Sequence, residues 1–292
     1  MREFCNYHPT VAFLYFVCVI VFTCLSLNPI SVSVAFLAAF TYSAVLKGRD
    51  AFLKNLLIMP VLFVGMALIN PAFNHRGVTI LAYLPSGNPL TLESVCFGLI
   101  ASAMVLSMIL YFSCFNEVMT SDKIIYLFGK ISPSISLVFS MALRAVPKFI
   151  RQFKEIIKVQ KAAGRDAYSG NLVKRAKNGL TAVSAMLTWV LEDAIETADS
   201  MKSRGYGLPG RTAYSVYTFT KRDKKAILFI ALTAAYTAFG MSLGKLSFNC
   251  FPSIKIAEIS PYVISVFFAE LMLMAMPVII EITEHRKWKY TK

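Results

Sequence analysis

Lys148-Phe-Ile-Arg-Gln-Phe-Lys-Glu-Ile-Ile-Lys-Val-Gln-Lys161, and after a short gap residues 171–203 leading into Ser203-Arg204-Gly205-Tyr206-Gly207, decide how this chain is read. In the first stretch Phe149, Phe153, Ile156, Ile157 and Gln160 recur at spacings of three and four, while Arg151, Lys154, Lys158 and Lys161 take the other faces. That pattern predicts an amphipathic helix of about five turns. Pro147 suits its first turn, where a missing N–H costs nothing, and Gly164 suits its left-handed end. In the second stretch Asn171 predicts an N-cap. An apolar stripe follows through Leu172, Ala176, Leu180, Val183, Leu187, Val190, Leu191, Ala194, Ile195, Ala198 and Met201. At 1.5 Å per residue this is a rod of about 50 Å. A helix so long and one-sided is not stable alone in water, so the stripe must pack on a sister helix, the bilayer surface or a partner.

Outward from these two helices the chain turns lipid-soluble. Of 292 residues 57% are hydrophobic and only 16% charged, against about 25% charged in soluble domains. Six apolar runs, at residues 11–27, 30–46, 53–69, 95–115, 226–243 and 263–282, approach or exceed the roughly 17–25 residues of a spanning helix. The first has no small-residue cleavage site before Asn28-Pro29, and a second run follows at once, which predicts a retained hairpin rather than a removed leader. The predicted fold class is an all-α integral membrane protein of about six transmembrane helices plus two long amphipathic cytoplasmic helices. Residues 1–121 form a first membrane block, 122–225 a cytoplasmic module, and 226–292 a last membrane block with a basic tail.

Charge placement sets the expected orientation. Between Arg144 and Lys225 there are 17 Lys and Arg against 7 Asp and Glu, out of a net charge of +14. Basic segments beside span ends stay in the cytoplasm. The basic block, the Lys47-Gly-Arg49 loop and the basic tail therefore share the cytoplasmic side of the cell membrane, with both termini inside. Residues 131–146 are apolar enough to suggest a further span. They are short, though, carry Pro133, and meet Arg144 and Pro147; an interfacial or partly buried helix is expected there.

The charges of the second helix run against its dipole, with Lys174, Arg175 and Lys177 early and Glu192, Asp193, Glu196 and Asp199 late. Local helix stability did not set that order. The basic start can face anionic headgroups, and the acidic stretch can pair with a neighbouring basic helix. Arg204 can complement the carbonyl end of the helix, or, with Gly205 and Gly207 admitting a partner's backbone, reach a carboxylate with two-pronged hydrogen bonds.

Ser200-Met-Lys-Ser-Arg-Gly-Tyr-Gly-Leu-Pro-Gly-Arg-Thr212, followed by Tyr217 and Lys221-Arg222-Asp223, resembles the transmembrane T subunit of energy-coupling factor (ECF) transporters, related to cobalt-transport permeases. The resemblance covers most of the chain. It implies two short Ala-Arg-Gly-type signatures at the ends of two coupling helices, each arginine docking into one ATPase subunit. Ser203-Arg204-Gly205 matches the second signature. The first departs from it: counted from Gln160, Ala163 holds the arginine position, Gly164 follows, and the arginine comes late, after the glycine, as Arg165. What the resemblance further implies is a non-catalytic scaffold in the membrane without a cofactor of its own. It would couple two cytoplasmic ATP-binding-cassette ATPases to a small membrane S subunit that holds a vitamin or metal ion. The stripe Leu180, Val183, Leu187, Val190, Leu191, Ala194, Ile195, Ala198 and Met201 would support packing of the coupling helices.

The residues themselves fit a chain without catalysis. No GxxxxGK[ST] loop occurs; Gly129-Lys130 and Gly244-Lys245 lack the glycine spacing. Cys5, Cys18, Cys24, Cys96, Cys114 and Cys250 form no CxxC pair and read as small buried hydrophobes. Nucleic acid is not an expected partner, because the aromatics sit on the apolar stripe and not beside the lysines. Two rivals stay open. Asp193, Glu196 and Asp199 could hold Mg²⁺, with Arg204 on the phosphate of a diphosphate lipid, in a membrane-embedded enzyme. Alternatively Glu270, an acid well inside a span whose helix Pro277 breaks, could serve a stand-alone secondary transporter, or simply make one hydrogen bond between packed helices.

Overall fold

A computed structural model describes residues 3–74, 77–83, 89–166, 171–208, 217–244, 246, 248–250, 255–256 and 260–290. The chain folds as two compact units, residues 1–123 with 217–292, and residues 124–216.

The first unit is a bundle of apolar helices: α1 (Pro9–Leu25), α2 (Pro29–Lys47), α3 (Arg49–Phe73), α4 (Leu92–Val118), α8 (Lys221–Ser242) and α9 (Pro261–Tyr290), with small antiparallel hairpins β1–β2 (Ile80–Tyr83, Pro89–Thr91) and β3–β4 (Phe248–Asn249, Lys255–Ile256). Helix starts follow the residues. Pro9 and Pro29 stand in first turns, where His8 Nδ1 accepts from Thr10 N and Asn28 Oδ1 from Ile30 N. At the start of α8, Thr220 and Asp223 cap each other reciprocally, Thr220 N donating to Asp223 Oδ2 at 2.8 Å.

Among the described residues five helices are long and apolar enough to cross a membrane: α2, α3 from Phe52, α4, α8 and α9 as far as Glu284. The sixth expected run is also helical and apolar, but α1 has 17 residues, because Ser26–Asn28 turn the chain before the full run is used. Burial is the inverse of a soluble protein's. Leu57 and Val61 are 76% and 71% exposed on the outside of the bundle, while Tyr15, Tyr42 and Tyr111 lie at its centre. Helices approach through glycine, as expected where lipid replaces water and close packing holds helices together. A Cβ on Gly98 would lie 2.6 Å from the Ala67 carbonyl oxygen of α3, and one on Gly240 would lie 2.8 Å from both Val266 methyls of α9.

Residues 3–8 strap one end of this bundle. Phe4 N donates to Glu281 Oε1 at 3.2 Å, His8 N to Asp223 Oδ1 at 3.0 Å, and Lys123 Nζ to the Cys5 and Val118 carbonyls at 2.6 and 3.0 Å. Burial holds the Lys123 ammonium below its ordinary pKa.

The second unit holds most of α5 (Ser121–Ile131), with α6 (Pro133–Ala162) and α7 (Leu172–Ser203). Here the structure corrects one helix start. The helix expected to begin at Pro147 begins at Pro133 and runs through Pro147 without a break. Pro147 removes only one rung, the one to the Leu143 carbonyl, and the helix formers on both sides carry the backbone across. Of residues 131–146, expected as an interfacial or partly buried helix, Ile131 ends α5, Ser132 is the N-cap, and 133–146 are the front half of α6. They expose Ile135, Val138, Phe139 and Val146 and are not among the candidate spans. Residues 221–225, placed from the sequence at the end of the cytoplasmic module, form the first turn of α8.

Candidate functional site

The functional residues read from the sequence converge on two helix ends, and these have the same backbone. Helix α6 reaches its C-cap at Ala163 (φ −80°, ψ 12°), followed by Gly164 at φ +75°. Helix α7 reaches its C-cap at Arg204 (φ −85°, ψ 10°), followed by Gly205 at φ +79°. In both the glycine N–H and the next N–H turn back on the last helical carbonyls. Gly164 bonds Lys161 O at 3.0 Å and Arg165 bonds Gln160 O at 2.9 Å; Gly205 bonds Lys202 O and Tyr206 bonds Met201 O, both at 3.0 Å. This is the glycine-terminated stop in which only a residue without Cβ adopts the left-handed conformation freely.

Superposing the stops by role pairs Ala163 with Arg204, Gly164 with Gly205, and Arg165 with Tyr206. Arg204 occupies the C-cap itself, whereas Arg165 stands two positions beyond its own C-cap. The late arginine read from the sequence is thus an offset of two positions in backbone geometry. Both arginines are exposed, and among the described residues the Arg204 guanidinium makes no ion pair. Ser203 Oγ is turned inward to the Ser200 carbonyl at 2.9 Å. The turn after α6 is tied down: Lys161 Nζ lies 3.8 Å from Asp166 Oδ2, and Asn178 Nδ2 of α7 donates to the Asp166 carbonyl at 2.9 Å. Residues 209–216, which carry the rest of the quoted motif, lie outside the described residues.

The apolar faces separate into two. On α6, Phe149, Phe153, Ile156, Ile157 and Gln160 are all half-buried, with Arg151, Lys154, Lys158 and Lys161 exposed. On α7, Val190, Ala198 and Met201 of the expected stripe are half-buried, but Leu180, Val183, Leu187, Leu191, Ala194 and Ile195 are exposed. The face that α7 turns to α6 runs instead through Trp189 and Asp193. Phe149 meets the Trp189 ring edge-on at 6.0 Å, and Lys148 Nζ pairs with Asp193 while lying 5.1 Å from the Trp189 centroid. Periodicity alone favoured the all-aliphatic side. Of this face Asp193 was legible in the sequence, as part of an acidic stretch able to pair with a neighbouring basic helix, and Trp189 was not.

Of the remaining chemical candidates, Asp193 and one carboxylate oxygen of Glu270 have partners, while the buried Glu270 Oε1 accepts no hydrogen bond among the described residues. Asp193 is engaged by Lys148, and among the described residues no three His, Cys, Asp or Glu side chains gather as metal ligands. Glu270 Oε2 accepts from Ser31 Oγ at 2.6 Å within the bundle, a hydrogen bond between α9 and α2. A cavity of about 240 Å³ lies against Leu27, Phe97, Ile100 and Cys250 and is lined mostly by apolar side chains.

Apolar helices that bury tyrosines and face outward with leucine, together with a basic pair of long helices ended by matched glycine stops, define an all-α multi-pass membrane protein. Within that class the chain belongs to the cobalt transport protein family, CbiQ, which matches residues 5–214. It is similar to energy-coupling factor transporter transmembrane proteins EcfT: 37% identical over 99 residues to that of Lactobacillus helveticus, 41% over 90 to that of Brevibacillus brevis, and 31% over 106 to that of Bacillus subtilis. These alignments take in 34%, 30% and 36% of this chain and 36%, 34% and 40% of the respective relatives.

Proposed function

We propose that this protein is the membrane scaffold of an ATP-driven ECF-type importer of vitamins or metal ions. In this reading it transmits the closure of two cytoplasmic ATP-binding-cassette ATPases to a separate substrate-binding S subunit, and does no chemistry itself. The observation that carries it is the pair of equivalent helix stops, each presenting an arginine on an exposed turn. Two matched docking elements suit two similar partners, and a guanidinium without an internal ion pair is available for a carboxylate on another chain. Arg204 is the principal contact, with Ser203 and Gly205 shaping its turn. Arg165, displaced beyond Gly164 and Ala163, makes the weaker one. The exposed aliphatics Leu180, Leu187, Leu191 and Ile195 lie against the S subunit or lipid. Six crossings, α1 included, with both termini and the basic helices in the cytoplasm, satisfy the charge asymmetry of the loops.

The test is co-purification of the ATPases with the Arg204→Glu variant. Removing one partner of a buried ion pair costs about 3–5 kcal/mol, which is two to nearly four orders of magnitude in affinity. The variant complex is expected to fall apart on purification, and Arg165→Glu to lose less. ATPases retained at wild-type yield by Arg204→Glu would overturn the docking role.

A further inference from the structure

We propose that Lys148, Trp189 and Asp193 are positioning residues that fix the crossing of α6 and α7, so that the two arginine-bearing tips are held at one spacing and respond together. This rests on the docking role proposed above and adds residues that the helix-end signatures do not contain.

One ammonium serves two groups on α7. Asp193 and Trp189 stand four residues apart, hence on one face, and Lys148 reaches the carboxylate of one and the ring face of the other. The neighbouring Phe149 closes on the same ring edge-on at 85°. Among the described residues of this unit the other ion pairs are local: Lys158 with Glu155 three residues away, and Lys161 with Asp166 in the following turn. The pair of Lys148 and Asp193 is the one described ion pair that joins the two long helices.

Its place along the helices gives it leverage. Pro147 leaves the Leu143 carbonyl of α6 without its rung, the usual point at which a helix bends. The clamp begins at the next residue. From Lys148 to the C-cap at Ala163 is about 22 Å along the axis, and from Asp193 to Arg204 about 17 Å. A rotation of roughly 10° at the crossing would carry the two tips about 4 and 3 Å, on rods of that length. The clamp also accounts for one acid of the reversed charge order of α7: Asp193 stands where the lysine of α6 crosses, regardless of the dipole. Lys148 is 49% and Asp193 26% exposed, so the pair adds little to folding and can be altered without losing the unit.

The test uses the full chain in lipid nanodiscs, spin-labelled near the tips at Lys161 and Lys202 in a background without native cysteines. It is repeated on the assembled complex as uptake per ATP hydrolysed. Lys148→Arg keeps both contacts and should keep a single narrow distance distribution. Lys148→Met, Lys148→Asp and Trp189→Leu should broaden it and lower uptake per ATP about fivefold or more, the lower end of ordinary coupling between sites, with the ATPases still bound. Wild-type distances and uptake ratios in Lys148→Met and Trp189→Leu would overturn the inference while leaving the docking role intact. A wild-type chain that retains no ATPases would overturn the docking role instead, whatever the distances. Equal broadening in Lys148→Arg would show that the cation is not what holds the crossing.

Discussion

Replacing Gly205 by alanine tests whether the end of α7 is shaped by backbone handedness. Gly205 has φ +79°, and a Cβ added there would meet only the flexible Leu208 Cδ1, at 3.1 Å. The space can be made by a side-chain rotation, so the cost is the left-handed conformation itself, about 1–2 kcal/mol for a residue with Cβ. That corresponds to a factor of about 5–30 in the population of the open turn. The expected effect is faster amide hydrogen exchange by about that factor at position 205 and at Tyr206, whose N–H groups are held by Lys202 O and Met201 O. Gly164→Ala, at φ +75° with nothing within 4 Å of the new Cβ, should do the same to the end of α6. Gly179 supplies the control. It lies inside α7 with ordinary helical geometry and open space, so alanine there should slow exchange, by the roughly 0.8–1 kcal/mol that separates glycine from alanine in a helix. One substitution at two glycines of one helix should thus act with opposite signs. Unchanged or slower exchange at Tyr206 in Gly205→Ala would show that backbone handedness does not shape this helix end.

Gly98→Ala should destabilise the bundle by about 1–3 kcal/mol, read as a lower thermal midpoint in detergent; the obstruction is the Ala67 carbonyl, 2.6 Å away, which cannot rotate aside. A midpoint equal to wild type would mean that α3 and α4 do not approach so closely. Burial lowers the folded pKa of Lys123 beneath the ordinary 10.5, so the unfolded chain binds the proton more tightly. Stability should therefore climb as pH rises from the folded value toward 10.5, the burial cost being fully present below that window. Lys123→Met should lose this slope, and parallel midpoint–pH curves for the two proteins would contradict it.

Family and site were legible to different depths for physical reasons. The amphipathic face of α6 was readable residue by residue, because a period of 3.6 reports burial directly: Phe149, Phe153, Ile156 and Ile157 turn inward together. The stops at Gly164 and Gly205 were readable because glycine after a helix has a local backbone cause. Periodicity was less informative on α7. Two faces of that helix are apolar enough to bury, and the aliphatic one is exposed while Trp189 faces α6. Pro147 misled in a similar way, since a proline suits a helix start and a helix interior with one rung missing, and only the flanking structure selects between them.

Sequence alone settled what depends on neighbours along the chain: which stretches are apolar enough to leave water, where the glycine stops end α6 and α7, and that Arg165 follows its glycine whereas Arg204 precedes its own. Only the tertiary structure decided what depends on partners far apart in number. Examples are Lys148 across Asp193 and Trp189, residues 3–8 held by Asp223 and Glu281, and Gly98 against the Ala67 carbonyl. Local propensity carries no information about which side of a long helix meets another, because that choice is settled by packing and charge at a crossing.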